Sequence, residues 1–321
     1  MNIQILLWLQ DIRMNILDVI FESITLLAED KNFFLILAFV FWCYNKATAV
    51  YMGFGLTYSG LFVTFVKCLA RVPRPWLRDK RLKPVASAKA GATGFSMPSG
   101  HTSQAFAIYG GFAHHSKSSR ILNYLSWLLF ILIAFSRIYL GVHTPGDVIA
   151  ALLIGLICFT VMEKVLFWVD KEENRDWILV IVTLLLCFGV VSLCFTKPYD
   201  QADTGLAADM YKSYMDLIKK VTMLILFLAS WMMERRKINY QKCENHRILG
   251  IQTCVGLVFI FWLTRYGKDF IYTLFVNCIG KYWGKIFARS FVNGFVILFI
   301  YALYPALMMA WNKRTRKQYE K

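Results

Sequence analysis

Residues 121–147 read ILNYLSWLLFILIAFSRIYLGVHTPGD, an apolar run that ends in arginine, histidine and aspartate. A membrane-spanning helix needs roughly 20 predominantly apolar residues, and the first part of this stretch supplies that length. Arg137, His143 and Asp147 follow at its end, where a rigid helix can hold a polar side chain at the boundary between lipid and water. The stretch therefore predicts a membrane helix with chemically useful groups at one end.

The rest of the chain has the composition of a polytopic membrane protein. Of its 321 residues, 58% are hydrophobic and 16% aromatic, and the mean hydropathy is +0.49. A soluble domain usually contains about 45–50% apolar residues. We therefore predict an all-α fold, a polytopic transmembrane helical bundle.

Counting the apolar blocks gives nine membrane spans. They lie at residues 31–45, 48–69, 99–113, 121–141, 145–168, 177–195, 214–233, 248–264 and 290–311. Residues 14–29 place apolar side chains at helical spacing, which predicts an amphipathic helix that lies in the interface or tilts against the bundle. In residues 267–289 aromatic residues alternate with lysine and arginine, which predicts an interfacial amphipathic helix.

Charge and cysteine content exclude several other classes of protein. The net charge of +16 comes from basic residues in short loops between apolar runs, where they face lipid phosphates, so we expect no nucleic-acid partner. The eight cysteines include no C-x-x-C pair, so neither a zinc site nor a disulfide framework is indicated. Asp11 and Arg13 interrupt the first apolar run, which is not typical of a signal peptide.

Two more polar segments stand at the ends of apolar runs. Lys67 is followed by Arg74-Pro75, and Met97-Pro98-Ser99-Gly100-His101 opens the third predicted span. Alternating the membrane faces along the nine spans puts both segments on the same side as Ser136–Asp147. The acidic link with Asp200, Asp203 and Asp209 falls on that side too. Because lysine and arginine normally mark the cytoplasmic face, and most of the remaining ones fall on the other side, we expect this group of segments on the outer face.

The residue types in these segments suit phosphoryl transfer. A phosphate ester and its transition state carry negative charge on several oxygens, so a catalyst needs fixed cations and hydrogen-bond donors. Lys67, Arg74 and Arg137 can supply the cations. Ser99 and Gly100 stand at a predicted helix start, where unpaired N–H groups favour an anion.

Two histidines can supply the nucleophile and the acid. His143 and Asp147 are four residues apart, and Pro145 should start a helix between them, so the carboxylate can reach and orient the imidazole. We expect His143 to attack phosphorus and His101 to protonate the leaving oxygen, after which water hydrolyses the phosphohistidine. No cofactor and no metal is required, because the three cations neutralise the phosphate.

The three segments together resemble the signature of a known superfamily. Lys67-x6-Arg74-Pro75, Pro98-Ser99-Gly100-His101 and Ser136-Arg137-x5-His143-x3-Asp147 are similar to the three-part signature of type 2 phosphatidic acid phosphatases. That superfamily also includes glucose-6-phosphatase and the vanadium haloperoxidases, and the resemblance covers about residues 30–165. It implies that Lys67, Arg74, Ser99, Gly100 and Arg137 hold the phosphate. It also implies that His143 is the nucleophile, Asp147 its partner and His101 the acid.

The resemblance also implies an architecture. A six-helix phosphatase core is expected, with about three extra C-terminal spans. We divide the chain into an N-terminal interfacial helix (1–30), a core with the catalytic motifs (31–176), and additional spans with a basic tail (177–321). The number of spans is similar to glucose-6-phosphatase, whereas GFSM before Pro98 and YLGV before His143 look more like the bacterial lipid phosphatases.

The function implied is an integral membrane phosphatase that acts on a lipid phosphate or diphosphate. Phosphatidate, phosphatidylglycerophosphate, a prenyl diphosphate and a sphingoid-base phosphate are all compatible substrates. The alternatives are a phosphotransferase that uses a lipid or alcohol acceptor, and a non-enzymatic transporter or scaffold. A haloperoxidase is disfavoured by the absence of any soluble domain. We expect contacts with membrane lipids, no obligatory protein partner, and a location in the plasma (inner) membrane with the site on its outer face.

Overall fold

The computed structural model describes residues 2–92, 94–116, 118–196 and 204–319, with side chains in the last range from 207 to 281 and from 283 to 313. Most of these residues are helical, and no strand occurs in these ranges. The expectation of an all-α membrane fold is confirmed.

Sixteen α-helices follow one another along the described residues. They are α1 (Asn2–Asp11), α2 (Asn15–Leu26), α3 (Asp30–Phe39), α4 (Lys46–Ala70), α5 (Pro75–Arg78), α6 (Ala86–Gly91), α7 (Gly100–Ala105), α8 (Gly111–His115), α9 (Arg120–Tyr139), α10 (Pro145–Val169), α11 (Arg175–Thr196), α12 (Thr204–Met233), α13 (His246–Trp262), α14 (Lys268–Ile279), α15 (Lys281–Leu298) and α16 (Tyr304–Tyr319). In the part of the chain that the structure describes, five short π-helical segments continue some of these helices: Val40–Tyr44, Phe106–Gly110, Glu234–Ile238, Leu263–Gly267 and Phe299–Leu303.

Six helical segments of the described residues are long and apolar enough to cross a membrane. They are Lys46–Arg78, Arg120–Tyr139, Pro145–Val169, Arg175–Thr196, His246–Ile279 and Trp283–Lys313. The other three predicted spans are helical but are not among these six. Those at 31–45 and 99–113 are short against the roughly 20 residues that a bilayer requires. The one at 214–233 carries several charged residues in its first turns, so the count of nine is too high by this measure.

The predicted interfacial helix over 267–289 is wrong as a single element. The chain turns at Gly280, whose φ of +84° is a conformation that glycine adopts without strain. Helices α14 and α15 meet there as a close-packed hairpin, and a Cβ on Gly284 would lie 2.6 Å from the Cα of Val276. These two helices continue the last two spans. Aromatic and basic residues at the ends of two membrane helices therefore have the same sequence pattern as a single interfacial helix.

The contacts group the chain into two compact units. The first comprises Met1–Glu29 and Phe54–Lys220, and the second comprises Asp30–Gly53 and Val221–Lys321. In the second unit, buried hydrogen bonds hold distant segments together. Trp42 Nε1 donates to the Ile300 carbonyl (3.0 Å), and the Tyr301 hydroxyl donates to the Ala49 carbonyl (2.7 Å).

The N-terminal helices belong to the first unit. The predicted helix at 14–29 is confirmed as α2, whereas α1 before it was not predicted. Phe21 of α2 packs against Phe135 and Tyr139 of α9, with ring centroids 5.5 and 4.5 Å apart. Of the two alternatives for this segment, the structure therefore has the helix against the bundle. All the residues proposed from the sequence for phosphate chemistry lie in this first unit.

Candidate active site

The start of helix α10 fixes the position of Asp147. Thr144 caps this helix: its Oγ1 accepts from the Asp147 amide (3.3 Å), and Asp147 Oδ2 accepts from the Thr144 amide (2.8 Å). This reciprocal pair is a capping box, and Pro145 occupies the first helical position, as expected. Asp147 Oδ2 also accepts from the Ser96 hydroxyl at 2.6 Å. The carboxylate is thus held rigidly and points toward His143.

His143 lies between α9 and α10 and is 2% exposed. Its Nε2 is 3.1 Å from Nη1 of Arg74. Because a guanidinium can only donate, we assign the lone pair to Nε2 and the proton to Nδ1. Nδ1 faces Asp147 Oδ2 at 3.5 Å, which is close for an ion pair but too long for a good hydrogen bond, and it has no hydrogen-bond partner among the described residues. In this tautomer the unprotonated nitrogen is Nε2, the one that contacts Arg74.

The surroundings keep this imidazole neutral. Burial lowers the pKa of His143 well below its ordinary value, and the positive charge of Arg74 lowers it further. Lys67 and Arg137 act in the same direction, whereas Asp147 opposes them. Three cations therefore act on one neutral ring, an arrangement that favours an anion beside it.

A short loop of Gly94, Phe95 and Ser96, here called the 94–96 loop, holds two of the cations. Lys67 Nζ donates to the Phe95 carbonyl at 2.6 Å. Arg74 Nε donates to the Gly94 carbonyl at 2.8 Å. Lys67 and Arg74 are 7% and 3% exposed. These carbonyl partners are neutral, so they add no negative charge beside the two basic side chains.

The second motif lies directly beside the third. Ser99 caps α7, with its Oγ accepting from the Thr102 amide (3.4 Å), and its own amide donates to the Asp147 carbonyl at 2.9 Å. A Cβ added to Gly100 would meet nothing within 4 Å, so space is open at this point. His101 follows in the first turn of α7 and is half-buried. The helix start proposed for phosphate binding is therefore bonded to the segment that carries His143 and Asp147.

Arg137 lies in the last turn of α9 and is 2% exposed. Its carbonyl accepts from the amides of Val142 (3.2 Å) and His143 (3.1 Å), which ties the histidine backbone to the arginine. Its Nη1 donates to Oγ1 of Thr25 at 2.8 Å, and its Nε has no hydrogen-bond partner among the described residues. The guanidinium is therefore fixed at one nitrogen and has donor capacity left.

Several residues of this site were not found from the sequence. They are Thr25, Gly94, Ser96, Thr144 and Ser213. Thr144 had a readable signal, since Thr-x-x-Asp before an apolar run is a helix-start pattern. The others are partners across long sequence separations and gave no local signal.

The acidic link was expected on the same face as these motifs. Asp200 and Asp203 lie outside the described residues, whereas Asp209 is half-buried in α12, where burial raises the pKa of its carboxyl. Close by, Ser213 Oγ donates to the Asp209 carbonyl (2.8 Å) and accepts from the Phe95 amide (3.4 Å). The start of α12 thus supports the 94–96 loop. Across the described ranges, no group of three or more His, Cys, Asp or Glu side chains is placed to share a metal ion.

The chain is similar to one protein family and to two curated proteins. Residues 48–171 match the family model of the PAP2 superfamily. Lipid phosphate phosphatase delta of Arabidopsis thaliana is 25% identical over 204 residues, which are 59% of this chain and 49% of that protein. Phosphatidylglycerophosphatase B of Bacillus subtilis (strain 168) is 29% identical over 115 residues, which are 32% of this chain and 56% of that protein. The chain thus spans about half the length of these curated relatives, and no solved structure matches it.

The matched segment contains every residue of the three-part signature, from Lys67 to Asp147. The resemblance drawn from those motifs is therefore confirmed. Among the described residues, six helical segments are long and apolar enough to cross a membrane, so this is an integral membrane protein. Residues 48–171 therefore match the PAP2 superfamily, the superfamily of type 2 phosphatidic acid phosphatases.

Proposed function

We propose that the protein is a membrane phosphatase that hydrolyses a lipid phosphate or a lipid diphosphate through a phosphohistidine. The observation that carries the proposal is the buried Nε2 of His143, which is 3.1 Å from Arg74 and under the charge of two further cations. The two relatives, a lipid phosphate phosphatase and a phosphatidylglycerophosphatase by name, support a phosphorylated lipid as the substrate.

In the first step the phosphate group takes the place of Nε2 as the acceptor for Arg74. Lys67, Arg137, the Ser99 hydroxyl and the Gly100 amide bind its other oxygens. Nε2 of the histidine then attacks phosphorus, a P–N bond forms, and the ester P–O bond breaks. His101 gives its proton to the leaving oxygen.

Asp147 stabilises the positive charge that this attack creates on the imidazole. Its Oδ2 already faces Nδ1–H at 3.5 Å, and such contacts tighten when the charge develops. In the second step His101 takes a proton from water, the hydroxide attacks phosphorus, and the P–N bond breaks to release inorganic phosphate. The three basic side chains carry the charge stabilisation that a metal ion supplies in other phosphatases, so we propose a metal-independent reaction.

The site lies where α9 ends and α10 begins, two helices long and apolar enough to cross a membrane, which fits a substrate whose head group is in water and whose tail stays in lipid. We propose the outer face of the plasma (inner) membrane, on the distribution of basic residues among the loops. Substrate lipids and surrounding bilayer lipids are then the partners, with no nucleic acid and no obligatory protein partner.

The test is phosphate release by the full chain purified in detergent. A panel of lipid phosphates, lipid diphosphates and sugar phosphates is assayed, and products are checked for phosphate transfer to alcohol acceptors. We expect His143→Ala to lose activity by at least about 10³-fold, because the nucleophile is removed. His114→Ala is the matched control, since His114 is an exposed histidine that lies 3.8 Å from Glu163. Full activity of His143→Ala or Arg137→Ala would refute the mechanism.

A further inference from the structure

The guanidinium of Arg137 is held by a residue from outside the family segment. Thr25 lies near the end of α2, and its Oγ1 accepts from Arg137 Nη1 at 2.8 Å. Thr25 is 6% exposed and Arg137 is 2% exposed, so the bond is shielded from water. The segment matched by the superfamily starts at residue 48. A buried cation of the candidate site is thus oriented by a part of the chain that the motifs do not include.

The chemistry of this partner suits a phosphate-binding arginine. A carboxylate in the same place would hold the guanidinium more tightly, but it would also neutralise the charge that an anionic ligand needs. A hydroxyl accepts one hydrogen bond and adds no negative charge of its own. Arg137 Nε has no hydrogen-bond partner among the described residues, so a donor remains for an oxyanion.

Helix α2 is anchored independently of Thr25, so the hydroxyl can be removed without detaching the helix. Arg13, just before α2, donates through Nη1 to the Lys83 carbonyl (2.8 Å) and through Nη2 to the Tyr139 carbonyl (3.0 Å). Phe21 packs on the Tyr139 ring with the centroids 4.5 Å apart, and the Tyr109 hydroxyl donates to the Leu27 carbonyl (3.2 Å). These contacts hold α2 on both sides of Thr25, against Tyr139 of α9 before it and against Tyr109 of the π-helical segment Phe106–Gly110 after it.

We infer that Thr25 is a positioning residue for phosphate binding, which acts by orienting the guanidinium of Arg137. The inference rests on the proposed function. A freely rotating guanidinium must be ordered when the phosphate binds, whereas one held at Nη1 already presents its other nitrogens. Loss of the hydroxyl therefore weakens binding of the phosphoryl group more than it slows the chemical step.

The experiment compares Thr25→Val, Thr25→Ser and Ser23→Ala with the wild type. Valine keeps the shape of threonine without its hydroxyl, whereas serine keeps the hydroxyl. The control position, Ser23, carries an exposed hydroxyl on the same helix, which donates to the Val19 carbonyl. Orthovanadate serves as the phosphate probe, through its inhibition constant and its effect on the melting temperature. With Thr25→Val we expect KM and the inhibition constant to rise together by about tenfold, the scale of one hydrogen bond to a charged group, with kcat nearly unchanged.

The two controls should behave like the wild type, because Thr25→Ser keeps the acceptor and Ser23→Ala leaves the site alone. An inhibition constant for Thr25→Val within twofold of the wild type would overturn the inference. So would failure of serine to restore it. If Thr25→Val does not fold, Thr25→Ala removes the same hydroxyl with a smaller side chain and carries the same expectation.

A second comparison tests whether Thr25 acts through the arginine. In an Arg137→Lys background we expect Thr25→Val to change the orthovanadate inhibition constant by less than twofold, because lysine has no planar fork to orient. A full tenfold rise in that background would contradict the inference.

If the wild type releases no phosphate and orthovanadate does not raise its melting temperature, the proposed function itself fails. A wild type that is active and vanadate-sensitive, with an equally sensitive Thr25→Val, refutes only the role of Thr25.

Discussion

Replacing Asp147 by asparagine tests the electrostatic part of the mechanism. The carboxylate oxygen Oδ2 accepts from the Ser96 hydroxyl (2.6 Å) and the Thr144 amide (2.8 Å), and it faces His143 Nδ1–H at 3.5 Å. All three neighbours present a proton, so the asparagine carbonyl oxygen takes the same position and the geometry is kept. What changes is the negative charge beside the imidazole.

The size of the effect follows from that 3.5 Å distance. Two unit charges so placed interact by about 5 kcal/mol at an effective dielectric constant of about 20. If about half of the imidazolium charge has developed in the transition state, about 2.4 kcal/mol is lost, which is about 50-fold in kcat. KM should change little, because the free imidazole is neutral.

The assay is phosphate release by the purified variant at saturating substrate, with the melting temperature as a check on folding. Asp79→Asn is the matched control, since Asp79 pairs with Arg81 in the loop before α6 and does not contact His143. Its kcat should equal that of the wild type. A kcat for Asp147→Asn within threefold of the wild type would refute the electrostatic role.

Three further outcomes are expected. Since burial lowers the pKa of His143, its contribution to stability is complete above its unfolded pKa of about 6.5 and is lost as the pH falls below it. When the pH is lowered from about 7.5 to 5.5, the melting temperature of the wild type should therefore fall further than that of His143→Gln. Ser96→Ala removes a hydrogen bond to the Asp147 carboxylate and should lower kcat about three- to tenfold in the same phosphate assay. Gly55→Ala should destabilise the fold by about 1–3 kcal/mol in denaturant titrations, because its Cβ would overlap the Phe159 ring, whereas Gly189→Ala meets nothing and should be neutral or stabilising.

The sequence was most informative where a residue type is chemically specific and its local setting is readable. Pro145 and the Thr144-x-x-Asp147 spacing mark the start of α10, and the apolar run before His143 marks α9. The family segment then places the charged side chains of three motifs in one region. Local pattern and scarce residue types were therefore enough to find the principal groups of the site.

The missing parts are interactions between distant positions. Thr25 and Arg137 are 112 residues apart in the chain, and Lys67 and the Phe95 carbonyl are 28 apart. A threonine on an amphipathic helix has the same pattern whether or not it meets a guanidinium. Backbone carbonyls carry no sequence signal at all. The hairpin at Gly280 was missed for a related reason, since aromatic and basic residues mark a helix end as well as a surface helix.

The contact between Arg74 and His143 has a consequence for the resting protein. With its lone pair occupied by a guanidinium proton, the ring nitrogen is shielded from electrophiles that carry no negative charge. Only a ligand that draws the arginine to itself uncovers that nitrogen. Under the proposed mechanism, an anionic ester would uncover the nitrogen that attacks it, whereas neutral esters in the surrounding bilayer would not react because they cannot compete for the arginine.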